Sequence, residues 1–269
     1  MKRRAFLALA AGATVAGAGG VAAFGLWAQD THLVEVTRIP VHVGLTRPLR
    51  VAALGDIHFD PLYEVDYLHS VVDLVNLQNP DIVLLTGDFV TANAKYSPQL
   101  ADILAGIKPR LATYAIPGNH EHWTGIEAIL GNMHERGGMR ILLNQSELIP
   151  GETNVYLTGI DSFWSGKPDL GIFDRGPADA HHIVLVHEPD SFDTLNDPRI
   201  RLQISGHTHG GQVRVPLFGA PILPSYGHYY SEGLFVRGER TLYVNRGIGT
   251  LKPHVRINCR PEVTVFELT

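Results

Sequence analysis

The stretch that decides the fold is Ile204-Ser205-Gly206-His207-Thr208-His209-Gly210-Gly211-Gln212. An apolar run over residues 202–204 leads into two histidines one residue apart, with glycines on both sides. Imidazoles at i and i+2 of an extended segment project to the same side. Glycine keeps the nearby backbone slim enough for an ion or a phosphate to come close. The pair gains its meaning from four earlier segments, each closing an apolar strand with acid, amide or imidazole groups. These are Asp56-Ile57-His58, Gly87-Asp88, Gly118-Asn119-His120 and His187.

The hydrophobic pattern places these segments on an alternating strand–helix frame. Residues 32–43 alternate as a half-buried strand does, and Pro40 points to a sheet edge. Buried strands are expected over residues 49–54, 81–85 and 182–186, and further strands over 111–116 and 155–160, with residues 201–204 leading into the histidine turn. Helices are expected over residues 64–79, stopped by Pro80, and over 98–107, 125–135 and 190–196. Residues 216–233 read as a long irregular loop rich in Pro, Gly and Tyr, and residues 241–245 and 263–268 as closing strands. No internal repeat or linker divides the body. This order implies a layered α/β domain over residues 29–269.

Composition narrows the function. The chain has 269 residues, 45% hydrophobic and 18% charged, enough for one substantial core. Its net charge of -5 argues against a protein that grips nucleic acid by neutralising phosphates. The single cysteine, Cys259, allows no internal disulfide.

The first 28 residues read as a separate segment. Lys2, Arg3 and Arg4 precede an apolar run over residues 5–28, the layout of an export signal. Arg3-Arg4-Ala5-Phe6-Leu7 resembles a twin-arginine signal, although Lys2 and Ala8 depart from the fuller pattern. An ordinary secretory signal with a basic start is the alternative. As a helix the run is long enough to span a bilayer. Leu26-Trp27-Ala28 offers no small-x-small cleavage site, so an uncleaved or slowly cleaved membrane anchor is expected. The twin-arginine export machinery would then be a partner, and the domain would lie at the periplasmic face of the inner membrane, anchored or released. Removing Lys2, Arg3 and Arg4 from the 22 basic residues leaves 19 against 27 acidic, a charge of -8.

Each candidate ligand follows the C-terminal end of an expected strand, the edge where α/β sheets gather ligands. Carboxylate, amide and imidazole without thiolate suit a divalent transition metal. One carboxylate can bridge two ions, and Asp88, central in the order, is the natural bridge. Two ions about 3.5–4 Å apart can hold both the attacking and the leaving oxygens of a phosphoryl displacement. Taken singly, each residue has a plainer reading: Asp56 and Asn119 as turn residues, His58 as a surface imidazole, His187 as a satisfied core polar group. Their joint occurrence with His207 and His209 is what those readings do not explain.

Asp56-x-His58, Gly87-Asp88, Gly118-Asn119-His120-Glu121, His187 and Gly206-His207-Thr208-His209, in this order, resemble the calcineurin-like metallophosphoesterases. The likeness runs from Leu49 to the C-terminus. It implies a four-layer α/β/β/α sandwich and two divalent metal ions, Mn, Fe or Zn. One ion would be held by Asp56, His58, Asp88 and His209, the other by Asp88, Asn119, His187 and His207. His120 would be catalytic rather than a ligand, contacting the scissile phosphate as acid or hydrogen-bond donor. A hydroxide shared by the metals would attack in line.

Departures narrow the group. Thr91-Ala92-Asn93 stands where the Ser/Thr protein phosphatases carry Asp-Arg-Gly, and Thr91 stands where purple acid phosphatases carry a tyrosine ligand. Residues 206–212, Tyr226-Gly227 and Asn245-Arg246-Gly247-Ile248-Gly249 resemble the bacterial exported phosphodiesterases of the YkuE and YaeI type. Gly55 replaces the usual serine before Asp56. A relative of that group cleaves UDP-2,3-diacylglucosamine in lipid A biosynthesis. A phosphodiester or diphosphate substrate, lipid-linked and met at the membrane, is therefore the implied partner, with no nucleic acid expected.

Two alternatives stay open: a phosphomonoesterase of the same fold, and a metal- or partner-binding protein without turnover. Arg246 is a candidate for substrate phosphate, with a surface ion pair as its plainer reading. His122 reads as an outer or loop residue rather than a ligand, His181 and His182 as strand residues without metal, and Asp60 as turn chemistry. Tyr226, Tyr229, Tyr230 and Phe235 would form an apolar lip or pack their loop onto the body.

Overall fold

The computed structural model describes residues 19–20, 31–62 and 64–269. The signal and anchor reading over residues 1–28 lies outside these, apart from Gly19 and Gly20. Among the described residues no helix is long and apolar enough to cross a membrane.

Two six-stranded sheets carry the fold. The first runs β1 (Glu35–Val41), β12 (Glu262–Leu268), β2 (Leu49–Leu54), β3 (Ile82–Leu85), β4 (Ala112–Ala115) and β5 (Arg140–Ile141). The second runs β10 (Gly233–Arg237), β11 (Arg240–Val244), β9 (Ile200–Ser205), β8 (His181–Leu185), β7 (Val155–Gly159) and β6 (Gln145–Leu148). Strands β2 to β5 are mutually parallel, as are β7, β8, β9 and β11. Pro40 lies on edge strand β1, where its missing N–H costs no ladder bond on the open side.

The parallel strands are buried on both faces, so they read as near-continuous apolar runs. Their period of two still sorts the residues. Ala52, Leu54, Val83, Leu85 and Ala115 pack against the helices. Val51, Ala53, Ile82, Leu84 and Tyr114 pack between the sheets, against Leu157, Ile183, Leu185, Leu202 and Ile204. Helix α1 (Val65–Leu77) turns Leu68, Val71, Val72 and Val75 inward, the 3–4 spacing of one helical face. Asn79 takes a positive φ just past its end, and Pro80 prevents continuation. Helices α2 (Ser97–Leu104), α3 (Asn119–Thr124) and α4 (Ile126–Glu135) complete this side.

The architecture is an α/β sandwich with two stacked sheets, as the sequence implies. The layer outside the second sheet is built differently from the first. It consists of short 3-10 turns, Leu170–Arg175 and Pro189–Asp193, which bury Ile172, Phe173 and Phe192. Residues 190–196, expected as a helix, hold only such a turn, because Pro189 starts it and Asp197-Pro198 follow within two turns. Strands β5, β6 and β10 are additional: each is short or largely exposed and leaves little apolar signal.

Candidate metal centre

The parallel strands of both sheets point their C-terminal ends at one crevice. Asp56 and His58 follow β2, Asp88 follows β3, and Asn119 and His120 follow β4. His187 follows β8, and His207 and His209 follow β9. The structure thus brings all eight together, from positions spread over the whole domain. Three sets of their ligand atoms each lie within 4.8 Å of one another: Asp56, His58 and His209; His58, Asp88 and His120; and Asp88, His187 and His207. Asp88 Oδ2 is 3.1 Å from His187 Nε2 and 3.4 Å from His58 Nε2. Asp56 Oδ1 is 3.6 Å from His209 Nε2. Asn119 is buried and lines the same cavity.

The backbone is bent to make this cluster. Asp56, His58, Asp88, His207 and His209 all have φ between 48° and 74°, the left-handed region that non-glycine residues rarely enter. Such residues cost about 1–3 kcal/mol each and persist where the surroundings over-determine them. Two glycines let the turns close. A Cβ on Gly206 would lie 2.3 Å from Asp56 Oδ2, and one on Gly118 would lie 2.2 Å from Asp88 Oδ1.

Hydrogen bonds fix which atoms face inward. His187 Nδ1 donates to the Thr86 carbonyl at 2.6 Å, which leaves Nε2 with its lone pair. His207 Nε2 donates to the Ser225 carbonyl at 2.8 Å, leaving Nδ1. This is the arrangement by which an outer acceptor selects the tautomer of a metal-binding imidazole. His120 Nδ1 likewise donates to the Thr91 carbonyl at 2.6 Å. Asp56 Oδ1 accepts the His207 N–H and Asp88 Oδ1 accepts the His120 N–H.

The fit to cations rests on atoms without partners. Asp56 Oδ2, His58 Nε2, Asn119 Oδ1, His187 Nε2 and His209 Nε2 are all buried with no hydrogen bond. A buried polar group left so costs about 1–3 kcal/mol, so five in one cluster demand an account. All five can act as lone-pair donors to a cation, and their chemistry suits a divalent metal.

Electrostatics agree for three of the four ligand rings, His58, His207 and His209. Burial lowers His58, and burial with the neighbouring His58 holds His209 well below its usual range. Burial and then His187 push His207 down to about 4. These rings are neutral, as ligands must be. Burial opposes charge on Asp88, yet His187 and His58 hold it well below the carboxylate range. His187 departs from the other rings: burial opposes its charge, yet Asp88 and Asp56 raise it well above its usual value, and a cation bound there would displace the Nε2 proton.

Glu121, beside His120 in the sequence, has a role that only the fold shows. Its carboxylate accepts the N–H groups of Asp88 at 2.8 Å, Phe89 at 2.9 Å and Gly118 at 2.8 Å. It therefore ties the β3 turn to the β4 turn. Burial and the nearby Asp88 push it up to about 7, against the Gly118 and Phe89 donors. Arg256 left no signal at all, being one arginine in a loop. It is fully buried and donates to the carbonyls of Gly249, Arg246, Gly247 and His209, gluing the turn after β11 to the histidine turn.

Arg246 does not line the cavity. Its guanidinium is taken by Glu262 at 3.1 Å and Glu35 at 2.8 Å, the ion-pair arrangement named as its alternative. His122 pairs with Asp161 at 2.7 Å, outside the three sets. Tyr230 and Phe235 pack onto the body beside Phe192. The apolar wall of the cavity comes instead from Trp123, Trp164, Val213 and residues 221–224. The cavity measures about 380 Å³, and Asp88, Asn119, His120, His207 and His209 are in its lining.

Known proteins give this geometry a class. Residues 49–211 match the calcineurin-like phosphoesterase family, more than half of the chain. The chain belongs to that family and is a metal-dependent phosphoric ester hydrolase. It is 32% identical to the metallophosphoesterase YkuE of Bacillus subtilis, over 100% of this chain and 98% of that protein. It is 34% identical to the phosphodiesterase YaeI of Escherichia coli K12, over 82% of each. Its group is that of YkuE and YaeI.

Proposed function

We propose that the chain hydrolyses a phosphodiester or diphosphate bond with two divalent cations held where the sheet edges meet. Asp56, His58, Asp88 and His209 would hold one; Asp88, Asn119, His187 and His207 would hold the other. When bound, the pair supplies a water of lowered pKa and neutralises charge on the phosphoryl oxygens. The chain does the rest. Asp88, tied by Glu121 and the His120 N–H, keeps the shared carboxylate in one orientation. His120 stands beside the cluster, its ring 4.7 Å from that of His58, and lines the cavity. With Nδ1 committed to the Thr91 carbonyl, Nε2 is left for the leaving oxygen. It can donate there only as the imidazolium. Trp123 and Trp164 meet edge to face at 5.0 Å, Trp123 against the His120 ring and Trp164 against that of His207.

The observation that carries this reading is the place of Asp88 Oδ2, within 3.4 Å of imidazoles from both halves of the cluster. The diester preference is supported by the name of the YaeI relative. A lipid-linked diphosphate resembling UDP-2,3-diacylglucosamine is supported by the apolar cavity wall. Arg3-Arg4 and the apolar run over residues 5–28 support export by the twin-arginine machinery and a place at the periplasmic face of the inner membrane.

The test is hydrolysis of bis-p-nitrophenyl phosphate by protein loaded with Mn²⁺, beside p-nitrophenyl phosphate. The reading expects faster diester turnover, lost in His120→Ala. Faster monoester turnover would favour a phosphomonoesterase. Diester turnover no greater than that of His120→Ala would favour a binding protein. A screen that includes UDP-diacylglucosamine then addresses the substrate.

A further inference from the structure

The cavity opens beside an exposed apolar tip. Residues 215–219 form a tight turn, closed by Val215 N–H to the Gly219 carbonyl and Gly219 N–H to the Val215 carbonyl, both at 2.9 Å. Phe218 N–H also bonds to Val215, at 3.1 Å. Leu217 is 102% exposed, Phe218 86% and nearby Ile222 80%. Single exposed apolar residues are ordinary, but a run of them at the rim of a cavity marks an interaction surface. The closed backbone matters as well. With three of its four N–H groups bonded within the turn, the tip exposes fewer unpaired donors at an apolar surface than an open loop would.

The attachment of the tip shows what it faces. Arg214 N–H bonds to the Ile257 carbonyl at 3.0 Å, and Val213 bridges Ile257. The adjacent Arg256 N–H bonds to Thr31 Oγ1 at 3.1 Å. Gln212 Nε2 bonds to the carbonyls of Leu251 and Pro253, which line the cavity beside Lys252. The chain therefore joins the fold at Thr31, on the same end of the molecule as the tip and the cavity mouth. Only residues 29 and 30 separate Thr31 from the apolar run over residues 5–28, at most about 11 Å of backbone.

We infer that the tip, led by Leu217 and Phe218, inserts into the surface of the bilayer that the apolar N-terminal segment enters, so that the cavity mouth faces lipid. The occupant of this apolar surface is the membrane. The segment gives one attachment and the tip the second, which together fix the orientation of the domain as well as its tethering. The exposed Lys252 at the mouth suits anionic headgroups. An amphiphilic phosphoester would then reach the metal centre along the wall of Val213, Ile222 and Leu223 without leaving the lipid surface. This substrate route rests on the proposed phosphodiesterase activity; the insertion of the tip does not.

The experiment uses the full chain reconstituted in phosphatidylethanolamine–phosphatidylglycerol vesicles. An environment-sensitive fluorophore is placed at Phe218→Cys, with Asp102→Cys on α2 as control, in a Cys259→Ser background that removes the buried native thiol. The label at 218 should shift to the blue and be quenched by spin-labelled lipid, and the label at 102 should do neither. Equal emission and equal quenching at both positions would overturn the inference. So would a blue shift that rises with protein concentration in detergent alone, which would make a second copy the occupant.

A second readout separates insertion from catalysis. Leu217→Asp/Phe218→Asp should keep bis-p-nitrophenyl phosphate turnover within about twofold. It should slow hydrolysis of vesicle-borne hexadecyl p-nitrophenyl phosphate about tenfold, since losing the apolar tip weakens binding to the interface. Equal rates on the vesicle-borne ester would count against the lipid route. Absence of soluble diester turnover in the unaltered chain would count against the phosphodiesterase reading alone, leaving the fluorescence result to decide the insertion.

Discussion

The two sheet edges that meet at the cavity supply opposite kinds of donor. The first sheet brings both carboxylates and the amide, Asp56, Asp88 and Asn119, together with His58. The second brings only imidazoles, His187, His207 and His209. Each edge is oriented by the other. Asp56 is aimed by an N–H from the second sheet, that of His207. His187 is aimed by a carbonyl from the first, that of Thr86. A carboxylate needs donors around it and an imidazole N–H needs an acceptor, so Asp56 and His187 take their final orientation only where the two edges meet. The site is assembled only when the sheets stack, which makes the core between them part of the active-site architecture.

The largest expected effect comes from the one residue that serves both edges. Asp88→Asn should lower diester turnover on the order of a thousandfold and reduce bound metal below two per chain, read by steady-state kinetics and elemental analysis. His120→Ala should cost about a hundred- to ten-thousandfold in turnover with metal content unchanged, which separates a catalytic group from a ligand. Loss of metal in that variant would move His120 into the ligand set. Glu121→Gln touches only the ties of the first sheet. It should weaken metal affinity about 10- to 100-fold, measured by competition with a chelating dye. An unchanged affinity would mean that the β3 and β4 turns hold their shape without it.

The second sheet makes a stability prediction away from the metals. Burial pushes His182 down to about 4, with Thr158 its hydrogen-bond partner at 2.8 Å. Its ordinary value in the unfolded chain is about 6.5, so below that the unfolded state binds more protons. Stability should be complete above pH 6.5 and fall as pH drops toward 4. Denaturant midpoints measured at pH 7 and 5 should show the slope, and His182→Gln should flatten it. The smallest effect is expected from Arg246→Ala. With its guanidinium held by Glu262 and Glu35, turnover should stay within about threefold. A clear rise in KM would return it to the substrate.

The elements most legible in the sequence were those with strong periodicity. The buried parallel strands and α1 appear within a few residues of their expected bounds, because their apolar runs and stops are local signals. The eight residues of the cluster were legible as strand-end polar groups in a fixed order. What was not legible depends on contacts between distant segments. Glu121 reads as an ordinary helix-start acid until the β3 turn is brought against it. Arg256 has no local pattern, because its partners are backbone carbonyls from residues 209, 246, 247 and 249. Short exposed strands such as β6 and β10 form because a neighbouring strand offers an edge, not because their own sequence demands it.

The central claim concerns the number and position of the cations, and anomalous scattering from crystals of Mn²⁺-loaded protein addresses it most directly. Two peaks about 3.5–4 Å apart are expected, sharing Asp88, with Asp56, His58 and His209 around one and Asn119, His187 and His207 around the other. A single peak, or two that do not share Asp88, would contradict the account.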